Sequence, residues 1–430
     1  MRLLIVSPRF PPSTAADSQR VRMVLPHLAA QGCDAEVLAL DPLCCADGLD
    51  PWQVEHLPSS VPIHRARGLT RRWARLPGLG SIESRCYRAL AFTGSRLLSE
   101  KAFDLVYIST TAFGCFSLGP LWKRIHGTPF VLDYQDPWVN DYYHQHPEIC
   151  PPGGWLKYGV VDKLNRFQEP RVLRYAAGIT SVSAAYPAQL KDRYPFASSI
   201  PSLVLPFPGS EDDFRFVDEI SSNSLPFDPY DGLIHWVCIG RVDTDLFRLS
   251  LSALFSAISC FAHHGLRSRL RLHFLGTSYA PDGRGIPTIN HLAAQYGLAN
   301  IVEESTDRLP LSVALAVLKA ADALLILGSS DPGYSASKLV PYLLASRPLL
   351  VVMHEQSMVC ELLDRFGGGK LVRFSNSQPI DELAISIADK WLSSNSYSQV
   401  QPLDRPALFP FTASGQSQHL VAFLQRCISA

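Results

Sequence analysis

Residues 129–138, Pro-Phe-Val-Leu-Asp-Tyr-Gln-Asp-Pro-Trp, place two carboxylates and an indole at the mouth of an apolar run. Carboxylates at Asp133 and Asp136 can bind sugar hydroxyls, and the indole of Trp138 can cover the face of a sugar ring. The same residues admit a plainer use, with Asp136 capping a turn before Pro137 and Trp138 packed in the core. Gly240-Arg241 follows the apolar run 236–239. A glycine there permits close backbone approach, and a guanidinium can clamp phosphate oxygens with two parallel bonds, unless Arg241 is simply a solvated turn residue. Gly276-Thr277 closes another such run at Phe274-Leu275. In residues 331–349 a turn of small residues carrying Tyr334, Ser335, Ser337 and Lys338 enters a helical pattern. Free helical amides, the two hydroxyls and the Lys338 ammonium can together hold a diphosphate, and the bland alternative is an ordinary capped helix start. In residues 7–20, Ala15 and Ala16 are small enough to admit a substrate to the backbone just before a helix, while Asp17 or Ser18 can serve as its N-cap.

The elements that must position these residues repeat one rhythm. Short β-branched or leucine-rich runs at 2–6, 35–40, 105–108, 130–133, 178–182 and 202–205 alternate with longer helical patterns, the signature of a parallel sheet with crossover helices. Val21, Val24, Leu25 and Leu28 fall on one helical face that Gly32 can end, and Pro26 should kink it. The rhythm breaks at 206–232, where four prolines, the acidic Glu211-Asp212-Asp213 and a polar patch predict a linker. It restarts with runs at 233–239, 271–275, 300–302, 323–327, 349–352 and 370–372, with helices at 246–264, 310–320 and 337–345, and a final helix at 412–428. Two doubly wound sheets facing across a linker would form a cleft at their strand C-termini, where such sheets bind ligands.

Composition sets the outer bounds. The chain has 430 residues, 47% of them hydrophobic, enough for two Rossmann-sized cores. Thirty-nine basic and 39 acidic side chains balance, which removes the global electrostatic case for binding nucleic acid. Ten cysteines lie scattered with no CxxC pair, so neither zinc-ligand nor redox spacing is present and a reducing cytoplasm fits best. The apolar start is too short for a signal-peptide core, and the longest apolar stretch, 313–328, is interrupted by Lys319 and Asp322, so no membrane-spanning helix is expected. Locally, Arg65, Arg67, Arg71, Arg72, Arg75, Arg85, Arg88, Arg96 and Lys101 face only Glu83 and Glu100. With Trp73 they form either a basic patch for anionic lipid or an anionic acceptor, or a solvated helix face.

Residues 3–12, followed by Arg20, Leu25, Leu28 and Gly32, resemble the opening of the retaining GT-B glycosyltransferases often grouped as family four. That family's first loop usually carries paired glycines, and Ala15 and Ala16 stand in their place. Residues 129–138 resemble the family segment that lines the N-domain side of the sugar site. Residues 179–183 and 205–209 and the turn at Gly276 follow the family's order of landmarks. Residues 331–349 resemble its nucleotide-sugar motif, including the helix and the Pro348 that starts the next strand. Two departures stand out. The diphosphate-binding lysine five residues after Gly-Arg is Leu246 here, a loss Lys338 can offset, and the paired glutamates eight positions apart are Gly333 and Pro341.

The resemblance implies an α/β fold of GT-B type, with two Rossmann-like doubly wound domains. These would be an acceptor domain at 1–205, a linker at 206–232, a nucleotide-sugar domain at 233–400, and a segment and helix at 401–430 packing back on the N-domain. It implies transfer of a sugar from a nucleotide-diphosphate donor to a glycan or lipid-linked acceptor, with retention, in cell-surface polysaccharide synthesis at the inner face of the plasma membrane. Asp136 would orient the acceptor or sugar. Substrates would be held by Ala15, Ala16, Asp133, Trp138, Gly240, Arg241, Gly276, Thr277, Tyr334, Ser335, Ser337 and Lys338. No metal or organic cofactor is implied, because Arg241, Lys338 and helix amides would take a metal's place beside the leaving diphosphate. The missing glutamates keep two alternatives open: a non-catalytic GT-B scaffold that binds a glycan or a partner enzyme, and a nucleotide-sugar epimerase.

Overall fold

A computed structural model describes the chain except for residues 46–47, 77, 146–149, 152–153, 218–223, 279, 281–282, 332–337 and 430. The chain divides into two units, Met1–Pro208 with Ala413–Ala430, and Gly209–Thr412.

The first unit is built on a seven-stranded parallel sheet in the order β3-β2-β1-β4-β5-β6-β7. Its strands are β1 (Arg2–Val6), β2 (Asp34–Leu40), β3 (Ile63–Ala66), β4 (Leu105–Ser109), β5 (Phe130–Tyr134), β6 (Gly178–Ser181) and β7 (Ser202–Val204). The central strands read as unbroken apolar runs because both faces are covered. On β1, Leu3 and Ile5 join a core on one face while Leu4 and Val6 join a core on the other. The first face is closed by helix α1 (Gln19–Leu28), whose Val21, Val24, Leu25 and Leu28 meet Leu420, Val421 and Leu424 of the C-terminal helix. The expected stripe is therefore the packing face, and α1 continues through Pro26 to Leu28. The opposite face is covered by α2 (Ile82–Glu100), through Leu90, Leu97 and Leu98. Further along the chain, α3 (Gly154–Leu173) precedes β6. The edge strand β3 was not anticipated, since Ile-His-Arg-Ala offers neither an apolar run nor an alternation.

Arg20 sits among the core residues of α1 and is fully buried, as is Asp133 on β5. The two form an ion pair at 2.9 Å. The guanidinium also donates to Gln416 Oε1 at 3.2 Å and to the Leu205 carbonyl, and it lies 5.5 Å from the centroid of the Phe207 ring. Asp133 in turn accepts from Ser109 Oγ at 2.8 Å, Thr180 Oγ1 at 2.8 Å and Gln135 Nε2 at 3.1 Å. An isolated charge in such a place would be expensive, and the pair is accordingly surrounded by partners, with Arg20 Nε meeting Asp133 Oδ2 as an ion contact and no hydrogen bond of its own.

The second unit carries a six-stranded parallel sheet in the order β10-β9-β8-β11-β12-β13. Its strands are β8 (Ile234–Ile239), β9 (Leu270–Leu275), β10 (Val302–Ser305), β11 (Ala323–Leu327), β12 (Leu349–His354) and β13 (Lys370–Phe374). Helix α4 (Arg248–Phe261) buries Leu251, Leu254, Phe255 and Ile258 in a core that includes Trp236 and Trp391. It is followed by α5 (Ile289–Gln295) and α6 (Leu339–Leu344). The stretch expected as a linker is not uniformly irregular. It contains the helix Glu211–Phe216, capped by Ser210 through a 3.2 Å bond from the Asp213 amide, and its three acids sit in the first turn, where the helix dipole favours them. The C-terminal helix α7 (Ala413–Ser429) belongs to the first unit.

Truncating one partner of the buried pair leaves the other charge uncompensated. Arg20→Met should therefore destabilise the protein by about 3–5 kcal/mol, and the double variant Arg20→Met/Asp133→Leu should recover part of that loss. Urea unfolding measures both, and a cost below about 1 kcal/mol for the single variant would show that the pair does not hold this unit together.

Candidate functional site

In the first sheet the chain runs outward from β1 toward β3 on one side and from β4 toward β7 on the other, so the strand order reverses between β1 and β4. Ligands of open α/β sheets bind beyond the carboxyl ends of strands at such a point. A polar cluster occupies that position here. Asp17 Oδ2 accepts from Arg9 Nη2 at 2.9 Å and Nε at 3.2 Å, from Thr110 Oγ1 at 2.9 Å and from the Thr111 amide at 2.9 Å. Gln135 Nε2 donates to the Asp17 carbonyl at 2.9 Å and to Ser109 Oγ at 2.9 Å. Asp17 Oδ1 and Gln135 Oε1 are buried with no hydrogen-bond partner among the described residues. Buried acceptors are rarely left unmet, so this cluster has capacity for a further donor.

Asp136 follows directly and is exposed. Its carboxyl is held above the usual aspartate range, first by partial burial and then by the negative charge of Asp17, with Arg9 opposing both. A carboxylate tuned by neighbours at a switch point can orient a hydroxyl or take its proton.

Two expected partners of Asp136 lie elsewhere. Asp133 cannot bind a sugar hydroxyl, because it is fully buried and its oxygens are occupied by Arg20, Ser109, Thr180 and Gln135. Trp138 cannot cover a sugar face, because its indole is buried, stacked on Phe113 at 6.0 Å and 15°, and donates to Asn165 Oδ1 at 3.1 Å. Ala15 is buried and Ala16 is exposed at the start of the turn Ala16–Ser18. Neither Asp17 nor Ser18 caps α1: Asp17 crosses to the end of β4, and Ser18 Oγ donates back to the Ala15 carbonyl at 2.8 Å. Sequence reasoning missed Arg9, Thr110, Thr111 and the cluster they form with Asp17 and Gln135. The available signal was their position just after strands β1, β4 and β5.

In the second unit, the end of β8 gathers several predicted residues. Gly240 adopts φ +98°, a left-handed conformation that a side chain would strain. Lys338, half-buried at the N-cap of α6, donates from Nζ to the Ile239 carbonyl at 3.0 Å. Tyr342 Oη accepts from the Ile239 amide at 2.7 Å, which ties α6 to the same strand end. Arg241 is half-exposed and paired with Asp243 at 3.1 Å. A cavity of about 360 Å³ opens beside it, lined by Arg241, Asp243, Thr277, Ser278, Thr288 and Glu304 among others.

Gly276, at φ +72°, turns the end of β9 toward this cavity, and Thr277 Oγ1 donates to Glu304 Oε1 at 3.0 Å. Glu304 also accepts from the amides of Thr288, Ile289 and Asn290, so the amides opening α5 already face a carboxylate. Among the described residues helix α6 runs over Leu339–Leu344, within the helix expected from 337 to 345. Tyr334, Ser335 and Ser337 lie outside the described residues. Leu246, where the resemblance places a lysine, is exposed.

The basic stretch 65–101 is smaller on the surface than its sequence suggests. Arg65 donates inward to the carbonyls of Phe10, Pro11 and Leu40. Arg85 is buried on the carbonyls of Cys44 and Leu69, and Lys101 holds Glu36 at 2.8 Å. Arg67, Arg71, Arg72, Arg75, Arg88 and Arg96 remain exposed, three of them, Arg71, Arg72 and Arg75, with Trp73 on one short turn. Among the described residues, no helix is long and apolar enough to cross a membrane, and no cluster of three or more His, Cys, Asp or Glu side chains could hold a metal ion.

Residues 18–200 match the family model described as a glycosyl transferase 4-like domain. Among solved structures, the chain is similar over its full length to HepE of Anabaena in complex with UDP-glucose (14% identity, TM-score 0.55, 100% of this chain and 98% of that one). It is similar to the lipopolysaccharide outer core galactosyltransferase WaaB (12%, 0.54, 99% and 99%). It is also similar to a UDP-forming trehalose-phosphate synthase of Burkholderia xenovorans (11%, 0.59, 100% and 100%). No curated protein matches it by sequence. Two parallel-sheet units of this kind, with the domain match, define a glycosyltransferase of the GT-B class. More narrowly, the match to the glycosyl transferase 4-like domain falls on the first unit.

If Asp136 is tuned by the cluster beneath it, removing each neighbour's charge should move it in a known direction. Arg9→Met should raise its apparent pKa further and Asp17→Asn should lower it, as followed by carboxyl carbon NMR across a pH titration. Two shifts in the reverse sense would dissociate Asp136 from this cluster.

Proposed function

We propose that this protein transfers a sugar from a UDP-sugar to a glycan or lipid-linked acceptor, with retention at the anomeric carbon, in the synthesis of a cell-surface polysaccharide. The observation that carries the reading is the junction at the end of β8, where Lys338 reaches the Ile239 carbonyl beside left-handed Gly240 and Arg241 borders a cavity. That arrangement suits a diphosphate. As the bond between the sugar carbon and the diphosphate oxygen breaks, negative charge grows on the departing UDP, and two fixed cations stabilise it there. The acceptor hydroxyl forms the new bond to the sugar carbon and passes its proton to the departing diphosphate oxygen, and Asp136 orients that hydroxyl. The UDP-glucose held by HepE and the galactosyl transfer named for WaaB support the donor class and the acceptor class respectively. Ten free cysteines suit work in a reducing cytoplasm.

A second reading is favoured by one observation. With Gly333 and Pro341 where the family's glutamates would be, a protein that binds a glycan or a partner enzyme without turnover remains the competing account.

Titration calorimetry with UDP separates the donor assignment from its alternatives. Lys338→Ala and Arg241→Ala should each weaken UDP by about 1.5–3 kcal/mol, the range for hydrogen bonds to charged groups. Unchanged affinity in both folded variants would remove these cations from the donor site.

A further inference from the structure

Asp136 stands on a loop that is pinned on both sides. Before it, Gln135 Nε2 donates to the Asp17 carbonyl, to Ser109 Oγ and to Asp133 Oδ2. After it, Pro137 fixes its own φ, and Trp138 exchanges hydrogen bonds with Asn165, its indole donating at 3.1 Å and its carbonyl accepting at 3.2 Å. The next residues converge on charge. Arg193 Nη2 donates to the Val139 carbonyl at 3.3 Å and to Asp141 Oδ2 at 2.8 Å, while Nη1 donates to Glu169 Oε2 at 3.3 Å. Arg166 holds the other oxygen of Asp141.

Glu169, on α3, is fully buried, and a carboxylate in such a place needs a cation. Arg193 supplies it, joined by the Tyr194 hydroxyl at 3.0 Å. Arg193 is the last residue of the helix Ala185–Arg193, and Tyr186 in the first turn of the same helix also faces the loop: its phenol is pushed up by burial and then by the negative charge of Asp136. Pro137, Glu169, Tyr186 and Arg193 line one small cavity with Trp138. The buried pair thus ties α3 and the helix Ala185–Arg193 to the chain three residues beyond Asp136.

The pair also titrates where cells live. Burial pushes the Glu169 carboxyl up to about 7, against the opposing pull of Arg193, the Tyr194 hydroxyl and the Val139 amide. The phenols of Tyr134 and Tyr194 that face it are themselves pushed up, by burial first and then by Glu169, and keep their protons at neutral pH. On the far side of Arg193, burial works against the Asp141 carboxylate, but hydrogen bonds from Arg166 and Arg193 hold it below the usual aspartate range. Farther along the same chain of pairs, Arg166 meets Asp162, and Asp162 meets His144. When Glu169 takes up a proton, Arg193 keeps Asp141 and the Val139 carbonyl but loses its buried counter-charge.

We propose that Arg193 and Glu169 are positioning residues for Asp136, fixing the loop 136–141 through the Val139 carbonyl and Asp141 and so setting where the Asp136 carboxylate stands. The inference rests on the reading of Asp136 as the group that orients the acceptor hydroxyl. A displacement of about 1 Å in such a group can cost roughly a hundredfold in rate.

The test uses the full chain carrying ¹³C at its aspartate carboxyl carbons, with the Asp136 signal assigned by its loss in Asp136→Asn. In the parent that signal should show its own titration and a second inflection near the Glu169 value of about 7. In Glu169→Gln, which keeps the size of the side chain, the second inflection should vanish and the first remain. With a UDP-sugar, kcat of the parent should fall on the acid side through the same point, and Glu169→Gln should hold kcat at its acid level without that limb. Arg193→Lys keeps the charge without the fork, so kcat should fall by roughly tenfold or more while the donor KM stays within about twofold, because Arg241 and Lys338 belong to the second unit. If Arg193→Lys does not fold, Glu169→Gln decides. An Asp136 signal with no second inflection, an inflection that survives in Glu169→Gln, or a folded Arg193→Lys enzyme with unchanged kcat would each overturn the inference. The NMR arm needs no turnover: a parent that moves no sugar yet shows the Glu169-dependent inflection keeps the positioning of Asp136 and sinks the sugar-transfer reading alone.

Discussion

A guanidinium and a carboxylate buried together beneath a parallel sheet constrain everything that touches them. In the first unit that pair is Arg20–Asp133, and its partners come from α1, β4, β5, β6, the backbone at Leu205 and Gln416 of the C-terminal helix. Because desolvated charges are costly to leave unpaired, these elements are held in one arrangement. The same requirement sorts the two carboxylates at the end of β5. Asp133 is committed to the interior, and Asp136, three residues on, emerges into solvent beside Asp17 and Arg9.

The second unit reaches its arrangement by other means. The main chain of Ile239 instead donates to the Tyr342 hydroxyl and accepts from Lys338, and Gly240 bends away in a conformation open to glycine at little cost. The lysine is thus tied to the end of β8 through a main-chain carbonyl. Glu304, by contrast, is drawn into capping α5 and bonding Thr277, and it serves the loop geometry around the cavity.

Legibility in the sequence followed the range of the interactions. Strands covered on both faces announced themselves as apolar runs, and eleven of the thirteen described strands were readable; β3 was not, because Ile-His-Arg-Ala on a sheet edge carries no such pattern, and the run expected at 300–302 meets the edge strand β10 (Val302–Ser305) at Val302 alone. The α1 stripe was equally local. The Asp17 cluster depends on residues about ninety positions away, which no spacing rule reveals. Trp138 and Asp133 have residue types that can bind a sugar, and only the structure shows that both are buried and paired within the protein. Composition also overstated the basic patch, since it cannot distinguish Arg71 on the surface from Arg85 holding two carbonyls.

The central claim is that Asp136 acts on substrate while Asp133 holds the fold, and one comparison tests it most directly. The parent and Asp136→Asn are incubated with UDP-, GDP- and ADP-sugars and a panel of glycan and lipid-linked acceptors, with nucleotide release and product configuration followed by proton NMR. The account predicts transfer with retained configuration by the parent. For Asp136→Asn it predicts turnover lower by about two orders of magnitude or more with donor affinity intact, comparable to losing one preorganised polar contact. Equal turnover in the variant would remove Asp136 from the chemistry, and a parent inert with every donor and acceptor would contradict the catalytic account altogether.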